Sequence, residues 1–562
     1  MATSSAPDAA PPARRASMSV IAMLSAAQFV MVLDTTVMNV SISQVVEDLG
    51  TTVVGLQTAI TVYTLVMASL MLLGGKLSDR WGAKRAFVLG MLVYGAGSLT
   101  TALAPNLGVL LVGWSLIEGM GAALVIPAIA ALIVRTYEGR QRVLAYGILG
   151  GVSGASAAAG PLIGGWVATV ASWRVVFAGE TVVVLVLMTL VGLIPATAGR
   201  QARLDLGGVM LSVAGLGVGV FAVLRSSQWG WILPGPQVPQ VGGRDVVPLG
   251  LSPTIWLLIT SAVLLAWLAR HETRVAQAGR EPLIDLSLLR IFTLRAGLVM
   301  LASQQFMIMA TFFVLPLYLQ SVLGFDALQT GVRILPLSLA LLVCALGGAA
   351  LANRLPPRRI VALGVASMLV GELVTLAFIA PDLSGVGFGV GLALVGAGLG
   401  LLASQLGNVI MSAAPAGRGG EAGGLQGTAQ NLGASLGTAL VGSVLIGVLS
   451  SRFAAVVGAQ EGLPPEVQVE AAQALTENAN FVTTDQVQAA AEAAGLEATE
   501  VSLIVESYAE AQLTALRGAL AGIALFAFAA LAYVRSVPRR HARYAAEHTD
   551  ADGAPGSDSP GR

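Results

Sequence analysis

What most constrains this chain is a long series of apolar stretches of about 20 residues, the length at which a helix crosses the hydrocarbon of a bilayer. Inside a bilayer the backbone must be hydrogen-bonded internally, so each stretch predicts a spanning helix. They fall at 18–40, 53–74, 86–104, 107–132, 143–170, 175–194, 206–224, 251–269, 296–320, 328–352, 360–380, 385–413, 423–450 and 515–534. That makes fourteen expected spans. Of the 562 residues, 55% are hydrophobic and only 11% charged, against roughly 25% charged in soluble globular proteins. This excludes an ordinary soluble enzyme.

Charge fixes the expected orientation. With a cytoplasmic amino terminus, the inner segments hold 25 of the 31 lysines and arginines, including Lys76 to Arg85 and Arg270 to Arg295. By the positive-inside rule both termini are expected in the cytoplasm and the chain in the cell membrane. The first stretch follows Arg14 and Arg15 but is long, carries Asp34 and lacks an obvious small-residue cleavage site, so it reads as a span and not a signal peptide. Acids and bases balance to a net charge of zero, which gives no reason to expect a nucleic-acid partner. Cys344 has no disulfide partner, and His271, His541 and His548 are scattered, so no metal site and no cofactor are expected.

The expected organisation is a cytoplasmic tail (1–17), a six-helix bundle (18–200), two additional helices (206–269) and a cytoplasmic linker (270–295). A second six-helix bundle (296–535) and a cytoplasmic tail (536–562) complete it. The linker holds the run Leu283 to Arg290, amphipathic enough to lie on the inner membrane face. A six, two, six layout suggests a duplicated transporter with an inserted pair. Between Arg452 and Arg517 there is no Lys or Arg but ten acids. This acidic external segment (453–514) predicts short helices at 465–478, 484–494 and 499–515, the last running into the final span. It reads as a solvated hairpin obeying the positive-inside rule; docking of an external partner is the alternative.

Three motifs carry more specific information. After the second stretch comes Gly75-Lys76-Leu77-Ser78-Asp79-Arg80-Trp81-Gly82-Ala83-Lys84-Arg85. A merely basic loop accounts for Lys84 and Arg85 but not for Gly75, Asp79 and Gly82 at these spacings. The segment resembles the signature of the major facilitator superfamily, in which the acid engages a helix end or an arginine across the bundle and the glycines permit close turns. A weaker echo stands at Asn353 to Arg359. In the first stretch, Leu33-Asp34-Thr35-Thr36-Val37-Met38-Asn39-Val40 resembles the pattern of the fourteen-span drug:proton antiporters. In the fifth, Gly160-Pro161-Leu162-Ile163-Gly164-Gly165 resembles the exporter motif, its small residues four apart allowing close helix approach and Pro161 allowing a bend.

The resemblance implies an all-α polytopic membrane protein with the major facilitator fold: two six-helix bundles plus two inserted helices. A transporter is implied, not an enzyme. The resemblance implies a proton-coupled exporter of hydrophobic small molecules, charged or not, such as drugs or antibiotics, driven by the proton gradient. Its partners would be substrate, protons and the bilayer. Gly75, Asp79, Arg80, Gly82, Lys84 and Arg85 would form a conformational latch.

The fourth stretch departs from the family. Where relatives place an Arg, two residues and Gln-Gly, this chain reads Ser115-Leu116-Ile117-Glu118-Gly119. The arginine is missing and an acid replaces the amide. Glu180 likewise stands where the family commonly has Asn. A carboxylate near the bilayer centre costs roughly 2.5 to 3.5 kcal/mol, so such acids need a polar cavity, a partner or a proton. Asp34, Glu118 and Glu180 are therefore the candidate proton carriers, with Glu372 set aside as isolated. Gln304, Gln305 and Met309, with Gln426 and Gln430, are the candidate substrate wall, although packing against lipid or neighbouring helices is the commoner role of such residues. Two rivals stay open: a lipid or envelope-component translocase using the external segment, and a transporter-like sensor without flux.

Overall fold

The computed structural model describes residues 18–537, apart from 52, 198, 200–203, 236–237, 242–243, 353, 381–382, 384–385, 416–417, 461 and 478–480. Arg14 and Arg15, Arg200 and Arg203, Asn353 and both terminal tails beyond these limits lie outside the described residues.

The molecule is built almost wholly from helices. The first half comprises α1 (Met18–Val40), α2 (Ile42–Asp48), α3 (Val53–Trp81), α4 (Ala83–Ala102), α5 (Leu107–Leu110), α6 (Gly119–Thr136), α7 (Gly139–Val170) and α8 (Arg174–Thr189). Next come α9 (Leu206–Trp229) and α10 (Pro253–Gln277), joined by a loop carrying a short antiparallel pair, Gln240–Val241 with Arg244–Asp245. The second half comprises α11 (Phe292–Pro316), α12 (Ala327–Leu351), α13 (Pro357–Phe378), α14 (Gly387–Ala413), α15 (Gly419–Gly458), α16 (Pro465–Glu477), α17 (Thr484–Ala493) and α18 (Ala498–Tyr533). A helix covers each of the fourteen apolar stretches. Eleven described helical segments are long and apolar enough to cross a membrane.

Within the first half α1 packs on α7, α4 on α6 and α8, and α3 on α6; within the second, α14 packs on α12 and α13, and α15 on α11 and α18. The halves meet through α3 and α6 against α15, and through α7 against α12 and α14. The α9–α10 pair leans through α9 on α3 and α15. Many of these approaches need glycine. A Cβ on Gly147 would stand 2.9 Å from the Ala345 carbonyl, and one on Gly400 would stand 2.3 Å from that of Leu341. Small residues let backbones touch where lipid supplies no hydrophobic drive for association.

Two expectations change on folding. The Gly75–Arg85 segment is helical through Trp81, and its turn is the single residue Gly82, at φ +89°. A side chain there would also collide with the Thr197 carbonyl, so α4 restarts at once. The run 283–290 turns its apolar side chains inward. It forms a 3-10 turn, Leu286–Arg290, and buries Leu283, Ile284 and Leu288 in the protein core. Asp285 accepts from Ser287 N at 2.9 Å and pairs with Arg418, which ties this turn to the start of α15.

Candidate functional site

Two constellations emerge, one inside the first half and one between the halves. The first is built around Asp34, Glu118 and Glu180, each less than a twentieth exposed. One carboxylate oxygen from each lies within 4.8 Å of the others. Three helices deliver them: α1 carries Asp34, the segment before α6 carries Glu118, and α8 carries Glu180.

The backbone around Glu118 is unusual in a telling way. Residues Leu111–Glu118 form a π-helical segment, a geometry found mostly at functional sites. Its wider turn sets Trp114 and Glu118, four residues apart, toward the same neighbours. The Trp114 indole donates to Asp34 Oδ1 at 2.8 Å and stacks on Tyr63 at 4.8 Å between ring centroids. Ser115 donates to the Ala59 carbonyl at 2.7 Å, pinning the segment to α3. Gly97 of α4 makes room for Glu118, since a Cβ there would lie 2.5 Å from the Glu118 nitrogen. Glu180 Oε2 accepts from Ser98 at 3.1 Å and Tyr94 at 3.3 Å. Both oxygens of Glu118, Asp34 Oδ2 and Glu180 Oε1 have no conventional hydrogen bond.

Three negative charges at this separation, out of water and with no basic side chain among them, repel too strongly to coexist. Protons shared within the cluster, or a cation, must offset them. Glu372 differs: it is buried in α13, takes a hydrogen bond from Thr311 at 2.7 Å and belongs to no such group of three among the described residues.

The second constellation closes the gap between the halves at the end of the bundle that carries the basic residues. Asp79 of α3 accepts from Gly420 N and Glu421 N, both at 2.8 Å, and so caps the first turn of α15. Lys76 reaches Glu421 at 2.9 Å, both side chains buried, and Arg135 stands 3.9 Å from Asp79. Gly75 allows the contact: its Cβ would lie 2.3 Å from the Gly420 carbonyl. Lys84 instead anchors the start of α4 to the segment after α8, its ammonium donating to the Ile194 carbonyl and its backbone N–H to Thr197 Oγ1. Arg80 is half-buried at the rim and Arg85 exposed.

The exporter motif sits where α7 crosses α1. A Cβ on Gly160 would strike Thr36 Oγ1 at 2.0 Å, and one on Gly164 would meet Val37 at 3.2 Å. Pro161 and Gly165 belong to α7, and their side-chain surroundings lie outside the described residues. The amide wall divides. Gln304 is buried and spends its NH2 group on the Leu399 carbonyl at 3.1 Å, whereas Gln305, Met309, Gln426 and Gln430 are half-buried.

Sequence reasoning found the three acids and Asp79 but missed their partners. Trp114, Tyr63, Tyr94 and Ser98 carry no spacing signal, since aromatic and hydroxyl side chains are common in membrane helices. Gly420, Glu421 and Gly424 did leave one: small residues four apart beside an acid.

A multi-pass helical bundle in two halves, joined by polar contacts at one end and holding a cluster of three buried acids in the first half, defines a membrane transporter. The family model for the major facilitator superfamily matches residues 24–438, and the chain belongs to that superfamily. It is 30% identical over 443 residues to the puromycin resistance protein of Streptomyces alboniger, covering 77% of this chain and 83% of that one. It is 29% identical to the tetracenomycin C resistance and export protein of Streptomyces glaucescens, covering 75% and 74%. With a multidrug resistance protein of Mycobacterium tuberculosis the identity is 26%, over 76% of this chain and 75% of the other. Among solved structures the fold resembles a human organic anion transporter (TM-score 0.51, 14% identity, 77% and 94% covered). It resembles a proton:xylose symporter equally (TM-score 0.51, 11% identity, 74% and 86% covered).

Proposed function

We propose that the chain is a fourteen-span, proton-coupled exporter of hydrophobic, cationic small molecules in the cell membrane, with both termini cytoplasmic. The observation that carries this is the buried Asp34–Glu118–Glu180 cluster, which needs protons or a cation to exist. The relatives named for antibiotic resistance and export support the direction of transport.

Alternating access then has identifiable parts. With its basic end in the cytoplasm, the molecule has its inner gate shut: Asp79 on the first turn of α15 and Lys76 on Glu421 hold α3 against the second half. Opening inward breaks these contacts and opens the α3–α15 seam. Protons arriving from outside neutralise the cluster, and their release inward re-forms the charge that attracts the next substrate. The triad takes over coupling where the family's fourth-span arginine is absent. No cofactor is required, because the proton gradient supplies the work.

The test is ΔpH-driven export of ethidium from proteoliposomes, comparing the parent with Asp34→Asn and Glu118→Gln. Coupled flux should follow the gradient and fall at least ten-fold in either variant while ethidium binding persists. Binding without flux in the parent would favour a sensor. Coupling that survives both substitutions would remove the acids from the mechanism. Loss of function on deleting 460–501 from a still-folded chain would favour a translocase working with an external partner.

A further inference from the structure

Segment 278–291, which joins α10 to α11, does more than connect them. Its apolar residues Leu283, Ile284 and Leu288 are buried in the core, and its polar groups reach three different helices. The Ile284 N–H donates to Glu272 Oε2 of α10 at 3.4 Å. Glu281 stands 3.8 Å from Lys76 of α3, the ammonium that also holds Glu421. Asp285 pairs with Arg418 at the start of α15. The segment therefore touches both sides of the gate that Asp79 and Lys76 make with Gly420 and Glu421.

Glu272 is the residue that seats this segment. It is only 1% exposed near the polar end of α10, and a carboxyl is costly to bury there without a structural partner. Helix α9 leaves room for it: a Cβ on Gly208 would lie 2.2 Å from Glu272 Oε1 and 2.7 Å from Asp205 Oδ2. Asp205 in turn meets His271 at 2.8 Å. Asp205, His271 and Glu272 thus knot the base of the α9–α10 pair, and Glu272 extends the knot to the backbone of the segment. Because α9 also leans on α3 and α15, the inserted pair grips the seam between the halves in two places.

We propose that segment 278–291 is a strap by which the inserted helix pair holds the inner gate shut, with Glu272 as its positioning residue. Glu272 fixes the Ile284 backbone, which sets where Asp285 and Glu281, one and three residues away, can reach. Inward opening then requires Arg418 and Lys76 to release the strap as well as Asp79 to release α15. The inserted pair so sets how readily the gate opens. The strap's role rests on the Asp79 contact being a gate and needs no proton coupling.

The test measures the gate in full-length protein in phosphatidylcholine nanodiscs, with Cys344 replaced by Ser and nitroxide labels at Arg85 and Arg354 read by pulsed dipolar spectroscopy. Glu272→Ala should raise the population of long distances about five-fold or more. Glu272→Gln keeps an oxygen for the Ile284 N–H and should restore the parent distribution. Glu281→Gln combined with Asp285→Asn should match Glu272→Ala, and adding Glu272→Ala to that pair should change nothing further, since one route carries both effects. Ser261→Ala breaks a different tie within the helix pair, the 2.7 Å bond to the Gly215 carbonyl, and should lower the melting temperature with the distances unmoved. The strap is overturned by a Glu272→Ala distribution equal to the parent's, by an effect that Glu272→Gln or Ser261→Ala shares in full, or by additive effects of the Glu272 change and the Glu281 and Asp285 changes. Gly420→Ala separates the two readings. If it lengthens the distances and Glu272→Ala does not, the strap alone fails; if neither does, the gate itself fails.

Discussion

At the residue scale, three buried acids from three helices share one pocket. A carboxylate in a bilayer is costly in isolation, and Asp34, Glu118 and Glu180 are tolerable because they share one polar pocket with Trp114, Tyr94 and Ser98. The Trp114 indole is the described donor to Asp34. Trp114→Phe keeps the ring stack on Tyr63 and removes that hydrogen bond, which for a charged acceptor is worth about 1.5–3 kcal/mol. Gradient-driven efflux in proteoliposomes should fall about ten-fold or more, with the fold intact by circular dichroism. At the latch, Glu421→Gln leaves the Lys76 ammonium buried without its 2.9 Å partner. Removing one member of such a pair costs about 3–5 kcal/mol, so the melting temperature in detergent should drop clearly. A variant as stable as the parent would show that Glu281, 3.8 Å from Lys76, takes over the charge.

Elements meet here through glycine, and the seam between α3 and α15 is where this matters most. Gly420 and Gly424 lie one helical turn apart and face Gly75, Met71 and Leu72. A methyl group on Gly420 would sit 2.3 Å from the Gly75 carbonyl and 2.6 Å from the Asp79 carboxylate, so it must push the halves apart. Overpacking of this kind costs about 1–3 kcal/mol, enough to shift a two-state equilibrium about five-fold or more. With Cys344 replaced by Ser and spin labels placed at Arg85 and Arg354, Gly420→Ala should lengthen the distance between the labels. Gly447→Ala, where a Cβ meets nothing within 4 Å, should leave it unchanged. The same contrast explains what could be read in advance: glycine four apart signals a close approach, but which helix approaches is decided by the fold.

At the scale of the molecule, two features link distant parts. Helices α15 and α18, 40 and 36 residues long, would extend roughly 60 and 54 Å, well beyond a bilayer's hydrocarbon. Their projecting ends carry α16 and α17, and Tyr508 and Gln512 fasten the incoming chain by hydrogen bonds to Val482. At the other end Asp285 and Arg418 tie the inter-half segment to α15. Asp285 is partly buried, which opposes its charge, but hydrogen bonds from Ser287 and Arg418 outweigh this and hold its carboxyl down at about 2, from 3.8. A depressed carboxyl contributes stability that is complete above the unfolded value and lost as pH falls through the folded one. The melting-temperature gap between the parent and Asp285→Asn should therefore stay flat between about pH 5 and 8 and close toward pH 2. A gap that changes near neutrality would place the titrating group elsewhere.

Legible along the chain were the helical class, the positions of the long apolar helices, the helices of the acidic 453–514 segment, and Asp34, Glu118, Glu180 and Asp79 as polar groups set among apolar neighbours. These follow from local rules: apolar length, charge asymmetry and the cost of an acid in hydrocarbon, all legible along one chain. Tertiary structure alone decided that α8 brings Glu180 beside Asp34 and Glu118, that a π-helical segment turns Trp114 onto Asp34, that the 283–290 run folds inward, and that Asp79 caps α15. Spacing gives the face of a helix but not its neighbour, and proximity between residues 34 and 180 or between 79 and 420 depends on how helices far apart in the chain pack together.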